Sequence, residues 1–139
     1  MILLDTNVVS ELMRQAPDPS VMAWIDGQPQ QRLHISSVTR AEIELGIAIL
    51  PEGQRKQGLQ TAALRMFAEF RGRCLALDEP AASRYAALLS ARMRAGRPIS
   101  VEDAQIAAMA LAGGLVLATR NVRDFAEIEG LSVIDPFTT

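Results

Sequence analysis

A chain of 139 residues is long enough to bury a real core in one compact domain, 1–139. Its 49% hydrophobic content and net charge of −2 leave no basic bulk that would announce nucleic acid. No apolar stretch approaches the roughly 18–20 residues of a membrane span. Met1-Ile2-Leu3-Leu4-Asp5 carries neither a basic segment nor a cleavage site, so a cytoplasmic protein with no membrane association is expected.

Taken in chain order, the apolar run 2–4 predicts a first strand, and Asp5-Thr6-Asn7 opens a helix to about Met13. The Pro17-Asp18-Pro19 turn restarts a helix carrying Val21, Met22, Trp24 and Ile25, which Gly27 and Pro29 end. Residues 33–36 read as a second strand. His34, the only histidine, is expected there as a structural residue. A helix over 39–50 places Ile43, Ile47 and Leu50 on one stripe, with Pro51 after it. A long amphipathic helix follows over 52–71, with Leu59, Ala63, Met66, Phe67 and Phe70 at helical spacing. Residues 74–77 read as a third strand, with Cys74 expected as a small buried hydrophobe. Helices over 79–95 and 100–112 come next, ended by Gly96-x-Pro98 and Gly113-Gly114. Strands 115–118 and 132–134 close the chain, with a short helix over 125–129 between them. Short strands alternating with helices predict an α/β fold, a parallel sheet flanked by helices on both faces.

Lone Cys74 and lone His34 exclude an internal disulfide and multi-Cys zinc sites, and any Ser/His/Asp or Cys/His scheme would have to run through His34. Hydrolytic chemistry would therefore run on carboxylates and a metal. The acids follow a pattern: Asp5, Glu42, Asp103 and the Asn121/Asp124 pair each lie just beyond a strand, at or near a helix start. Capping explains each of them alone. Thr39-x-x-Glu42 and Ser100-x-x-Asp103 match a capping box, and Asp5 and Asn121 are favoured N-cap types. Taken together they point further, because helix N-termini in an open parallel sheet face the carboxyl edge where ligands bind. Two carboxylates about 4 Å apart repel by roughly 4 kcal/mol at an effective dielectric near 20, so a crowd of them calls for a divalent cation. Hard oxygen donors select Mg²⁺, with Mn²⁺ as a substitute, and such a site suits phosphodiester hydrolysis by an activated water.

Four stretches carry a resemblance: Asp5-Thr6-Asn7, Ala41-Glu42, Glu102-Asp103-Ala104-Gln105 and Leu117-Ala118-Thr119-Arg120-Asn121-Val122-Arg123-Asp124-Phe125. In this order and spacing they resemble PIN-domain proteins, and the likeness is greatest to bacterial toxins of the VapC/FitB type. The resemblance implies a five-stranded parallel sheet of order 3-2-1-4-5, metal-dependent endoribonuclease activity, a cognate VapB/FitA-like antitoxin and a homodimer. It makes Asp5, Glu42 and Asp103 the metal-binding acids, and gives Thr119 and Thr6 hydroxyls that position water or ligands. Some FitB-like members carry Asp at the place of Asn121; here Asp124, three residues on, is taken to supply the fourth acid. Asp78 and Asp135 belong at sheet edges as turn or cap residues, while Glu11, Glu44 and Glu102 are explained equally by nearness to the site and by solvated helix faces.

Of the 14 cationic residues 13 are arginine. Arg92, Arg94, Arg97, Arg120 and Arg123 are candidate phosphate contacts for single-stranded or loop RNA, against a plain solvated reading. Val21, Met22, Trp24 and Ile25, near the helix bearing Ile47 and Leu50, are either core or one wall of a groove for an antitoxin helix. Two rivals fail on the residues. A receiver-like phosphoacceptor wants paired acids at the first strand and a lysine after the last, and Asp5-x-Asn7 lacks the second carboxylate of a two-acid phosphatase. A PIN-like domain that binds RNA or protein without cutting remains the alternative.

Overall fold

Ile2, Leu3 and Leu4 form strand β1 (Ile2–Leu4), and all three are buried, as a strand covered on both faces requires. Successive side chains of a strand point to opposite faces. Ile2 and Leu4 accordingly join one apolar cluster and Leu3 another. The computed structural model describes residues 1–138. Its strands are β1, β2 (Leu33–Ser36), β3 (Cys74–Leu75), β4 (Val116–Ala118) and β5 (Val133–Ile134). They form a five-stranded sheet of order β3-β2-β1-β4-β5, and every neighbouring pair is parallel. In register, Leu3 stands beside Leu117, so the two central strands feed the same cluster from the same face.

Helices α1 (Thr6–Leu12), α2 (Pro19–Asp26), α3 (Ser37–Ala48) and α4 (Gln54–Glu69) cover one face. Val8, Val9, Val21, Ile43, Ile47, Ala63, Met66, Phe67 and Phe70 fill the space beneath them, as their helical spacing predicts. Helices α5 (Glu79–Arg94) and α6 (Val101–Gly113) cover the other face. Buried alanines 104, 107, 108 and 110 let α6 lie close against its neighbours, and Gly114 ends it in a left-handed cap at φ 64°, a conformation that glycine adopts without strain. Among the described residues no helix is long and apolar enough to cross a membrane.

The chain runs β1–β2–β3 toward one edge and returns to the centre for β4–β5, so the order reverses between β1 and β4. That reversal places the carboxyl ends of these two strands at the crevice where an open α/β sheet receives ligands.

The structure departs from the sequence reading at several places. Helix α3 starts at Ser37, because the Ser36 hydroxyl at the end of β2 accepts from Thr39 N at 3.0 Å, so Thr39 is not the cap. Strand β3 stops at Leu75, and Cys74 is exposed rather than buried, because this two-residue edge strand is left uncovered. Burial of part of its side chain still pushes the Cys74 thiol pKa up, with nearby Arg40 pulling it back. The short helix after β4 is a 3-10 turn at Val122–Phe125, not 125–129. His34 is buried with Nδ1 3.1 Å from the Arg32 carbonyl, a structural setting. Asp78 caps α5 by accepting from Ala81 N at 3.1 Å, and Asp135 accepts from Phe137 N at 2.9 Å, so both are local caps.

Candidate active site

Asp5 sits where β1 ends and α1 begins, and only 2% of its surface is exposed. Its Oδ1 accepts from Thr6 N, the first amide of the helix, at 2.8 Å. Its Oδ2 accepts from Thr119 Oγ1 at 2.7 Å and from Asn7 Nδ2 at 3.3 Å. A carboxylate has about four acceptor directions, so one direction on Oδ1 is left without a protein donor. Burial raises the Asp5 pKa, the Thr119, Thr6 and Asn7 hydrogen bonds lower it, and repulsion from Glu42 raises it again.

Glu42 stands in the second turn of α3, beyond reach of the helix start, so the capping-box reading does not apply to it. Its Oε1 accepts from Thr6 Oγ1 at 2.8 Å. Thr6 Oγ1 also lies 2.9 Å from the hydroxyl of fully buried Thr39. Thr6 has one proton and spends it on Glu42, so Thr39 is the donor to Thr6. The result is a relay of hydroxyls from the core to the carboxylate. Burial raises the Glu42 pKa, Thr6 lowers it, and Glu102 and Asp103 raise it by repulsion.

Asp103 lies in the first turn of α6, whose cap is Ser100, with Asp103 N donating to Ser100 Oγ at 3.1 Å as the sequence pattern predicts. Helix α5, not a strand, precedes α6. The N-terminus of α6 still reaches the carboxyl edge because the helix runs back antiparallel to the following β4. The half-buried Asp103 carboxyl has its pKa raised by burial first. Asp5, Asp124 and Glu102 raise it further, against a hydrogen bond with Ser100 that lowers it.

The three acids thus act on one another across the switch point, with Glu102 and Asp124 in the same field. Arg14 and Arg55 line the cleft beside Thr6 and Glu42, and Arg14 is paired with Glu11. The acids form an open constellation: among the described residues no three acids, histidines or cysteines make a ready group for a metal ion. The donor chemistry nonetheless fits Mg²⁺, which keeps several waters and takes one or two carboxylates rather than a closed protein cage.

At the end of β4, Thr119 is fully buried. Its hydroxyl accepts from Asn121 N at 3.0 Å and from Asn7 Nδ2 at 3.2 Å, so its proton is committed to Asp5. Asn121 is exposed and makes no side-chain cap to the 3-10 turn. Asp124 is also exposed, and its contribution reaches the site as repulsion on Asp103.

Three of the five candidate arginines have partners within the protein. Arg92 Nη2 donates to the carbonyls of Asp124 and Ala126 at 3.1 and 3.0 Å, fastening the 3-10 turn to α5. Arg97 pairs with Glu127, and Arg120 stacks on the Phe137 ring at 4.5 Å. Phosphate contact would leave Arg120 its stacking partner, whereas Arg92 would have to release backbone carbonyls.

Sequence reasoning missed Asn7 and Thr39 as parts of the site. Asn7 stood in the quoted motif, two positions after Asp5, and that spacing was the available signal. Thr39 was assigned to the wrong task by its capping propensity.

A PIN-domain family model matches residues 2–131. The chain is 40% identical to the VapC ribonuclease Y4jK of Sinorhizobium fredii, over 99% of this chain and 98% of that protein. It is 38% identical to Toxin FitB of Neisseria gonorrhoeae, over 99% of both. The crystal structure of FitAcB from Neisseria gonorrhoeae superposes with TM-score 0.89 and 37% identity, covering 100% of both chains. A toxin–antitoxin complex from Klebsiella pneumoniae superposes with TM-score 0.71 and 26% identity, over 98% of each chain.

Proposed function

This chain belongs to the PIN-domain family, and from that premise we propose that it is a Mg²⁺-dependent endoribonuclease, the toxin of a toxin–antitoxin pair. Relatives named ribonuclease and toxin, aligned over nearly the whole chain, support the activity class. The observation that carries the carboxylate assignment is the convergence of Asp5, Glu42 and Asp103 on the switch point, where Thr6 links the first two and each acid raises the pKa of another. In this reading Asp5, Glu42, Asp103 and Asp124 hold the divalent ion. When bound, that ion supplies a water of lowered pKa and charge stabilisation at the phosphate oxygens.

The protein's own part is orientation. Asp5 is locked by three donors, so its remaining acceptor direction points one way. Glu42 is held by Thr6, which Thr39 orients in turn. The raised pKa values keep these carboxyls readier than free ones to take up a proton, and a bound cation favours the ionised forms again.

The partner in this reading is a VapB/FitA-like antitoxin helix. A cleft of about 630 Å³ between α2 and α4 offers it apolar walls, with Met22, Ile25, Met66 and Phe70 among them. Val21 beneath is core, and Trp24 packs partly buried against it. A basic side chain reaching the acids would offset their charge as a cation does.

The test is cleavage of total RNA with Mg²⁺, with Mn²⁺ and with EDTA, comparing the wild type with Asp5→Asn and Asp103→Asn. Cleavage that needs the divalent ion and disappears in both folded variants is expected. Variants that cut as fast as the wild type would overturn the assignment, and a wild type that binds RNA without cutting it would return the non-catalytic alternative.

A further inference from the structure

Asn7 joins the two central strand ends at the switch point, alongside the direct bond from Thr119 to Asp5. Its amide has two N–H donors and two acceptor directions. One donor goes to Asp5 Oδ2 at 3.3 Å and to Thr119 Oγ1 at 3.2 Å goes the other, while Oδ1 accepts from Arg120 N at 3.1 Å. The opposite amide orientation would set an oxygen against a carboxylate and an NH₂ against a backbone N–H, so the network admits only this one. Three of the four capacities are therefore used, two of them toward residues more than a hundred positions away.

The consequence runs through Thr119. Its hydroxyl has one proton and two acceptor directions. Asn7 Nδ2 and Asn121 N occupy the acceptor side, and only Asp5 Oδ2 remains for the proton. Asn7 thus fixes the sense of the Thr119 hydroxyl as well as donating to Asp5 itself. Both effects saturate Oδ2 and leave the open acceptor direction on Oδ1. The Arg120 bond holds the backbone leading to Asn121 and Asp124 in the same frame.

We infer that Asn7 is a positioning residue: it selects the Asp5 oxygen offered to the site and locks the ends of β1 and β4 together around it. This rests on the ribonuclease reading above. Removing the amide leaves Asp5 in place and frees it to turn, so the chemical step suffers while RNA binding does not.

The experiment uses the full chain with Asn7→Ser, Thr119→Val and the double variant, circular dichroism confirming the fold of each. For Asn7→Ser, kcat on an RNA substrate falls about 10–100-fold, the usual loss when a group orienting a ligand is removed. KM stays within about twofold, since a loss confined to the chemical step leaves ground-state binding alone. The affinity for Mn²⁺ alone, read by electron paramagnetic resonance without RNA, weakens about tenfold or more. The double variant is about as slow as the slower single one, because the two residues act as one unit. Wild-type kcat and Mn²⁺ affinity in Asn7→Ser, or losses that multiply in full in the double variant, would overturn the inference. Should Asn7→Ser not fold, Asn7→Ala removes the amide without adding a charge, and its kcat decides in the same way. An Asp5→Asn control separates the two claims. If it cuts normally, the assignment of Asp5 to the chemistry fails and with it the premise for Asn7. If it is dead while Asn7→Ser is wild-type, only the role of Asn7 fails.

Discussion

The two strand ends that meet at the switch point are built differently. At the end of β1, Asp5 is buried and accepts from three donors, and the neighbouring Thr6 holds Glu42. At the end of β4, the chain leaves buried Thr119 and passes at once into an exposed 3-10 turn carrying Asn121 and Asp124. That turn is fastened through its backbone carbonyls by Arg92. One half of the site is rigid at the level of individual carboxylate oxygens, and the other is held only as a segment. Precision is therefore spent on Asp5 and Glu42, while Asp124 adjusts.

The largest test of that contrast is Asp5→Asn. It keeps the shape, removes the charge, and lowers RNA cleavage on the order of 10³-fold in a single-turnover assay, since a lost metal ligand forfeits several kcal/mol of transition-state stabilisation. Thr6→Val comes next. It cuts the hydroxyl relay to Glu42 while preserving side-chain volume, and should reduce kcat about 10–100-fold with KM unchanged. Asp124→Asn should cost no more than about tenfold, because its carboxylate is exposed to solvent and is the replaceable member. A loss as large as that of Asp5→Asn would erase the distinction between the halves.

The smallest effect is thermodynamic. The pKa values of Asp5, Glu42 and Asp103 are all raised in the folded protein, so their protonated forms are favoured there. The stability this gives is fully present below the unfolded carboxyl pKa, about pH 4, and is lost as pH rises through the folded values. Metal-free Asp103→Asn should therefore melt a few degrees above the wild type at neutral pH. The gap should close near pH 4, and it should narrow when Mg²⁺ is added to the wild type at pH 7. Differential scanning calorimetry across pH measures all three.

What the sequence made legible follows the same division. The buried run Ile2–Leu4, the caps Asp5, Asp78 and Ser100 and the stripes of α3 and α4 are local patterns, and the structure keeps them. The three acids stood out by their places near helix starts, and the sheet order came with the family resemblance, which sums many weak local signals. What stayed hidden depends on partners far away in the chain. Thr39 reads as a cap until Thr6, 33 residues distant, proves to be its neighbour. Asn7 reads as a helix-start residue until Thr119 and Arg120 arrive beside it. Cys74-Leu75-Ala76-Leu77 is apolar enough for an interior strand, but nothing in those four residues says that no helix will cover them. The turn at Val122–Phe125 owes its place to Arg92, 32 residues upstream of Asp124, a contact without a sequence signature.

The sheet is bordered on both sides by strands of two residues, Cys74–Leu75 and Val133–Ile134. So brief a border presents too few free donors and acceptors to template the docking of another chain's strand. Fibre growth by edge-to-edge stacking is thereby denied a seed in the native fold. Concentrated stocks of the folded protein should stay clear, and thioflavin-positive deposits should form only under conditions that first melt the domain.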